Sequence, residues 1–149
     1  SGHAAFLDNY YLDDGAYLAT QIVILLASLR KQGKTIDDIL KNLREPAEEN
    51  ETRSKIKTDN FVEYGNSVLE DFKDFADNTQ GIERVKLNFE GVKVIFDKKN
   101  GDGWLLLRLS LHEPLLVANF ESNSKGGTLK MLDALKTFLG KYNSLDLQF

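Results

Sequence analysis

The stretch that decides the fold runs from Gly101 to Ser122 and reads GDGWLLLRLSLHEPLLVANFES. It contains two apolar runs of strand length that meet at a short polar turn, and turn-forming residues flank both runs. Because side chains alternate between the two faces of a strand, Arg108 and Ser110 are predicted to point the same way. Pro114 limits pairing at the start of the second run. The pattern therefore predicts two strands joined by a stiff polar loop.

This loop combines groups that can hold an anion. Arg108 is a guanidinium among leucines, and such a group needs a carboxylate, water or a bound anion as its partner when it is buried. With the hydroxyl of Ser110 and the backbone amides of the loop, it forms a set of donors that suits a phosphate group. In the alternative interpretation Arg108 reaches solvent or pairs with a nearby acid, for which Glu113 and Glu121 are available.

The composition limits the classes of function. A chain of 149 residues with 42% hydrophobic content suffices for one domain, or for a small domain plus part of another. It contains no cysteine, which excludes a disulfide scaffold and a zinc–thiolate site and fits a reducing compartment such as the cytoplasm. Its net charge of -4 argues against nucleic acid or an anionic membrane as a partner. The sequence shows neither a secretion signal nor an apolar segment of the roughly 20 residues that span a bilayer.

The first part of the chain is predicted to form two helices. Asp14 can cap a helix over residues 15–32, which Gly33 ends. Because this helix is apolar almost all round, we expect it to belong inside a larger body, with the chain truncated at its N-terminus. Thr35 and Asp38 form a capping-box pattern for a second, amphipathic helix that Pro46 limits.

A boundary is predicted over residues 45–60, which are dense in polar residues, although a short strand over residues 52–57 is an alternative. Beyond it, Ser67 and Glu70 form a capping-box pattern for a helix that ends near Asn78. Two strands joined through Glu90 and Gly91 should then form a hairpin, over residues 83–89 and 92–97. A last helix over residues 128–139 should turn five apolar side chains to the core: Leu129, Leu132, Leu135, Phe138 and Leu139.

These elements predict an α+β fold. The second part of the chain should form an antiparallel sheet of about four strands with helices packed on one face. The predicted domains are residues 1–45, a piece of a truncated α/β domain, and residues 46–149, a complete C-terminal domain.

Two motifs carry a resemblance to a known family. The run from Arg108 to Pro114, Arg-Leu-Ser-Leu-His-Glu-Pro, resembles the phosphate-binding loop of the α-D-phosphohexomutases, the phosphomannomutase and phosphoglucomutase family, whose common form is Arg-Pro-Ser-Gly-Thr-Glu-Pro. The opening Ser1-Gly2-His3 resembles the end of the family's sugar-binding loop, Gly-Glu-x-Ser-Gly-His. Leucines replace the family's proline and glycine, and His112 replaces its threonine. The resemblance covers the whole chain, as the tail of the third domain and the complete fourth, TBP-like domain.

The resemblance also implies roles for individual residues. Arg108 and Ser110 would hold the non-reacting phosphate of a hexose phosphate, together with His112, whose imidazole N–H can replace the threonine hydroxyl as a donor. Ser1 would contact sugar hydroxyls, and His3 would lie near the reacting end as a candidate proton carrier. In the alternative interpretation His3 is an artefact of cloning without a role.

The family interconverts hexose 1-phosphates and hexose 6-phosphates through a phosphoserine, a bisphosphate intermediate and Mg²⁺. The phosphoserine segment and the magnesium loop lie upstream in the family and have no counterpart in this sequence. We therefore expect a cytoplasmic substrate-binding fragment that holds no metal, depends on N-terminal domains of the same protein and has no mutase activity alone. The alternative function is a non-catalytic α+β protein-interaction module.

Overall fold

The computed structural model describes residues 4–148, and the chain divides into two compact units, residues 1–44 and 45–149. The division falls beside the predicted border at residues 45 and 46. The assignment of these units to the third and fourth domains of a phosphohexomutase stays a prediction.

The first unit contains two helices. Helix α1, Gly15–Lys31, begins as predicted, because the carboxylate of Asp14 accepts hydrogen bonds from the backbone amides of Ala16 and Tyr17, both at 3.0 Å. Helix α2, Ile36–Leu40, begins with the predicted capping box but spans five residues and ends well before Pro46. Several apolar side chains of α1 are exposed in the described chain: Ile22, Val23, Ile24, Leu25 and Leu26.

The second unit is an antiparallel sheet of six strands with two long helices. Its elements in chain order are β1 (Glu48–Ile56), α3 (Phe61–Asn78), β2 (Ile82–Arg84), β3 (Val92–Phe96), β4 (Gly103–Leu109), β5 (Leu115–Ser122), α4 (Gly127–Leu139) and β6 (Leu145–Gln148). The strand order across the sheet is β2-β3-β4-β5-β1-β6. The predicted α+β class is confirmed, and the predicted strand number of about four is too low.

Strand β1 corrects the predicted boundary, since it occupies most of residues 45–60, and it confirms the alternative of a strand over residues 52–57, although it begins four residues earlier. It pairs with β5 on one side and with β6 on the other, so it is an internal strand. Its inward side chains include Thr52 and Ser54, which are buried although they are polar. An alternation of small polar and charged residues does not resemble the apolar–polar alternation of a typical strand, so pattern alone favoured a linker.

Two further strands depend on long-range pairing. Strand β6 was not predicted, and it forms by pairing with the end of β1 at Arg53–Ile56. Strand β2 was predicted over residues 83–89 but spans only Ile82–Arg84. Residues 85–91 therefore form an irregular connection to β3. Helix α3 begins seven residues earlier than predicted, with Asn60 in place of Ser67 at its N-cap, and the hydroxyl of Ser67 donates to the carbonyl of Tyr64 within the helix.

Helices α3 and α4 cover one face of the sheet, as predicted, and their apolar sides form the core with the inward residues of the strands. Leu129 of α4, which was predicted to be in the core, is 61% exposed, whereas Met131 is fully buried. The fully buried large side chains are Phe72, Phe120, Leu105, Leu107, Leu116, Met131, Leu135, Leu139, Val68 and Val94. This core fixes β4 and β5, and with them the loop at their shared end.

Candidate phosphate-binding loop

The candidate site is the loop between β4 and β5. The two strands pair down to Leu109 and Leu116, and the amide of Ser110 then donates to the carbonyl of Leu115 at 2.9 Å. The carbonyl of Pro114 accepts from the amide of Ile56, at the end of β1, at 2.7 Å. The loop of residues 110–114 is therefore held at its base by the pairing of β4 with β5 and by a hydrogen bond from β1.

Two of the predicted ligands lie in this loop. The hydroxyl oxygen of Ser110 accepts a hydrogen bond from the amide of Glu113 at 3.3 Å, which leaves its own proton free to be donated. His112 is exposed, and within the described residues no hydrogen bond or ion pair engages its side chain. Leu111 beside it is 86% exposed. The loop thus presents a hydroxyl and an imidazole to solvent.

Arg108, the third predicted ligand, lies near the end of β4 with its side chain 29% exposed. One of its terminal nitrogens, Nη1, lies 3.4 Å from a carboxylate oxygen of Glu90, whose side chain is 65% exposed. The sequence offered Glu113 and Glu121 as partners, and neither is the ion-pair partner in the structure. Glu121 instead accepts a hydrogen bond from the indole N–H of Trp104 at 3.0 Å.

Gly91 explains why Glu90 reaches Arg108. The backbone of Gly91 has a φ of 60°, and a Cβ at this position would lie 2.8 Å from the Cα of Arg108 and closer still to the carbonyl oxygen of Leu107. Only glycine permits so close an approach to β4. The side-chain amide of Asn88 donates to the carbonyls of Glu90 and Gly91, at 2.6 and 3.1 Å, and fixes the same turn.

A second guanidinium lies on the same sheet face as Arg108. In the strand register Arg108 is opposite Val117, which in turn is opposite Arg53 of β1. The Nε of Arg53 donates to the carboxylate of Glu51 at 2.8 Å, and the side-chain amide of Asn119 donates to the same carboxylate at 2.9 Å. These two hydrogen bonds, followed by the charges of Arg53 and Arg108, hold the pKa of Glu51 below its ordinary range.

Sequence reasoning found Arg108, Ser110 and His112 but not their neighbours Glu51 and Glu90. The sequence feature that could have identified Glu90 is the glycine that follows it, because a glycine also permits a close approach to another strand. From the sequence alone, Gly91 is predicted only to be part of a hairpin turn. Its contact with Arg108 depends on the register of β3 against β4, where Val92 is opposite Leu107. No local pattern in the sequence predicts how β3 is aligned with β4.

The structure does not test the predicted sugar-binding residues, because Ser1 and His3 lie outside the described residues. Over residues 4–148 no group of three or more metal-ligating side chains comes together. No helix in that range is long and apolar enough to cross a membrane.

Comparisons with known proteins address the fold. No protein-family model matches the sequence. No curated protein matches it either. Among solved structures, the chain is similar to the X-ray crystal structure of a phosphoglucomutase/phosphomannomutase family protein from Burkholderia thailandensis. The similarity covers 99% of this chain with a TM-score of 0.66 and 22% sequence identity.

The chain corresponds to 28% of the length of that protein. At this level of sequence identity, the likeness concerns the fold. The predicted resemblance is thus confirmed in the architecture: the chain has the fold of part of a phosphoglucomutase/phosphomannomutase family protein.

Proposed function

We propose that this chain is the substrate-binding C-terminal portion of a phosphohexomutase and that it holds the non-reacting phosphate of a hexose phosphate. Arg108 supplies the charge, and Ser110 and His112 supply neutral donors. The backbone amides of Leu111 and His112 supply the rest, since the amide of Glu113 is bonded to Ser110 and Pro114 has none. The observation that carries the proposal is the presence of these three side chains at one anchored loop, in a fold shared with a phosphoglucomutase/phosphomannomutase family protein.

The chemistry of the loop supports a phosphate ester as its ligand. A guanidinium donates charge-assisted hydrogen bonds to phosphate oxygens, and these are stronger than bonds between neutral groups. Amides and hydroxyls at a strand end add donors without adding charge. In an enzyme that transfers one phosphate of a sugar, binding of the other phosphate positions the reacting end of the substrate. The phosphoserine and Mg²⁺ that such a reaction requires would come from other domains of the protein.

A titration tests the proposal. The ¹⁵N-labelled chain is titrated with glucose 6-phosphate and mannose 6-phosphate, and backbone amide shifts are followed. We expect shifts centred on residues 108–114 that saturate, and no such shifts with unphosphorylated glucose. Absence of a saturable response at this loop would contradict the proposal.

The second candidate function is a protein-interaction module that uses the open face of the sheet. One observation favours it: Ile95 is an exposed apolar side chain on this face and is opposite Trp104 in the strand register. The ammonium group of Lys93 lies over the ring of Trp104, 4.0 Å from its centroid. This function predicts no response to phosphosugars at residues 108–114. The same titration therefore separates the two functions.

A further inference from the structure

Glu90 is the residue whose role the proposed function leaves open. It contacts Arg108, the main positive charge of the loop, from the connection between β2 and β3. A phosphate that binds the guanidinium must either bind beside the carboxylate of Glu90 or displace it from Arg108.

The two carboxylates near Arg108 are held very differently. Glu51 accepts two hydrogen bonds, from Arg53 and Asn119, so its carboxylate has partners of its own. Over the described residues, the carboxylate of Glu90 has no partner other than Arg108, at 3.4 Å, and most of its side chain lies in solvent. Glu90 is therefore the carboxylate that can leave at small cost.

The backbone beneath Glu90 does not need to move when its side chain leaves. Gly91 packs against the backbone of β4, and Asn88 bonds the carbonyls of the turn, so the turn is fixed without the carboxylate. Rotation of an exposed glutamate side chain takes place within nanoseconds. Release of Arg108 thus requires only a rotamer change.

We propose that Glu90 acts as an exchangeable internal anion: it pairs with Arg108 when the site is empty and is displaced by the phosphate of the ligand. The inference rests on the proposed function, because it takes Arg108 as a phosphate ligand. The exchange keeps the partly buried guanidinium paired in both states. It also weakens phosphate binding, because the ligand must break the ion pair and approach a carboxylate.

The exchange predicts that removal of the Glu90 charge strengthens phosphate binding. The test compares the affinity of glucose 6-phosphate for the full chain and for Glu90→Gln. We expect binding to tighten about two- to fivefold, which corresponds to the strength of an exposed ion pair. The matched control is Glu83→Gln, which removes the same charge from an exposed residue of β2 that is opposite Ile95 in the register. This control should leave the affinity within experimental error.

A double-mutant cycle shows whether the effect passes through Arg108. In the Arg108→Ala background, Glu90→Gln should change the affinity less than half as much as in the wild type, measured on the logarithm of Kd. An equal effect in both backgrounds would mean simple charge repulsion and would overturn the exchange. Unchanged or weaker binding by Glu90→Gln in the wild-type background would overturn it as well.

Failure of the proposed function has a different signature. If Arg108→Ala binds glucose 6-phosphate as well as the wild type does, or if the wild type gives no saturable response, Arg108 is not a phosphate ligand and both proposals fall. If Arg108→Ala weakens binding while Glu90→Gln behaves as Glu83→Gln does, the proposed function stands and only the exchange is wrong.

Discussion

The carboxylate of Glu48 and the hydroxyl of Thr128 lie 2.8 Å apart, and this hydrogen bond joins the first strand of the sheet to the beginning of α4. The same carboxylate accepts from the amides of Gly126 at 2.6 Å and of Thr128 at 3.2 Å. A glutamate distant in sequence thus caps the helix, in place of the usual side chain at its own N-cap. This contact links α4, a helix that packs in the core, to β1, the strand next to β5.

This cap makes the stability of the second unit depend on pH. The amide of Gly126, the hydroxyl of Thr128 and the amide of Thr128 hold the pKa of Glu48 below its ordinary value, and the charge of Lys125 acts in the same direction. A carboxyl with a lowered pKa in the folded state contributes stability above its unfolded pKa, about 4.3, and loses it as pH falls through the folded value. Glu48→Gln should therefore be less stable than the wild type at pH 7, and the difference should shrink below about pH 4.3.

Urea unfolding followed by circular dichroism between pH 7 and pH 3 measures this difference. Glu49→Gln is the matched control, because Glu49 is the exposed neighbour on the same strand. A constant gap between wild type and Glu48→Gln across the pH range would show that the charge of Glu48 does not act through the cap.

Replacement of Arg108 by alanine should weaken phosphosugar binding without unfolding the chain. Charge-assisted hydrogen bonds contribute about 1.5–3 kcal/mol each, so we expect the Kd for glucose 6-phosphate to rise tenfold or more. Isothermal titration calorimetry gives the affinity, and thermal unfolding checks the fold. Arg84→Ala is the control, because Arg84 is also a strand arginine in an ion pair, with Asp77 at 2.7 Å. Equal affinities of wild type and Arg108→Ala would remove Arg108 from the site.

His112 should act as a hydrogen-bond donor that threonine can replace. We expect His112→Thr to bind glucose 6-phosphate nearly as well as the wild type, and His112→Ala to bind it several-fold more weakly, since one hydrogen bond contributes about 0.5–1.5 kcal/mol. Leu111→Ala, a change at an exposed neighbour in the same loop, should leave the affinity unchanged. If alanine at position 112 binds as tightly as histidine, the side chain points away from the ligand.

Gly91→Ala should destabilise the second unit and disturb the site. The added Cβ meets the backbone of β4, and the positive φ is unfavourable for alanine, so we expect a loss of about 1–3 kcal/mol in the free energy of unfolding. Gly126→Ala separates the two causes, because Gly126 has a φ of 76° but open space around it. Chemical denaturation should show a larger loss for Gly91→Ala. Equal losses would mean that backbone strain alone matters.

Limited proteolysis should cut the chain before β1, within residues 41–47. These residues lie outside the helices and strands, whereas β1 pairs with β5 from Glu48 onward and with β6 as well at Arg53–Ile56. Mass spectrometry of the early products locates the first cut. The fragment that begins near residue 45 should keep the amide spectrum of the second unit. First cuts within residues 48–56 would contradict the pairing of β1.

The apolar elements of the chain could be predicted from the sequence because their patterns are local. The two leucine-rich runs became β4 and β5, the loop between them lies where Pro114 and the polar residues placed it, and α1 and α4 begin within a residue of their predicted starts. A capping carboxylate, a helical period and a strand flanked by turn formers each lie within a few residues of one another. Such signals require no knowledge of distant parts of the chain.

The polar elements needed the tertiary structure. Strand β1 carries polar side chains on its inward face, so only its pairing with β5 and β6 makes it a strand, and β6 exists only because β1 is there. The partner of Arg108 was likewise decided by long-range contacts, since the register of β3 against β4 and the close approach of Gly91 bring Glu90 to it in place of Glu113 or Glu121. The sequence by itself determined the donors of the loop, because they follow one another along the chain. The carboxylates that face them were decided by hydrogen bonding between strands, which depends on the whole sheet.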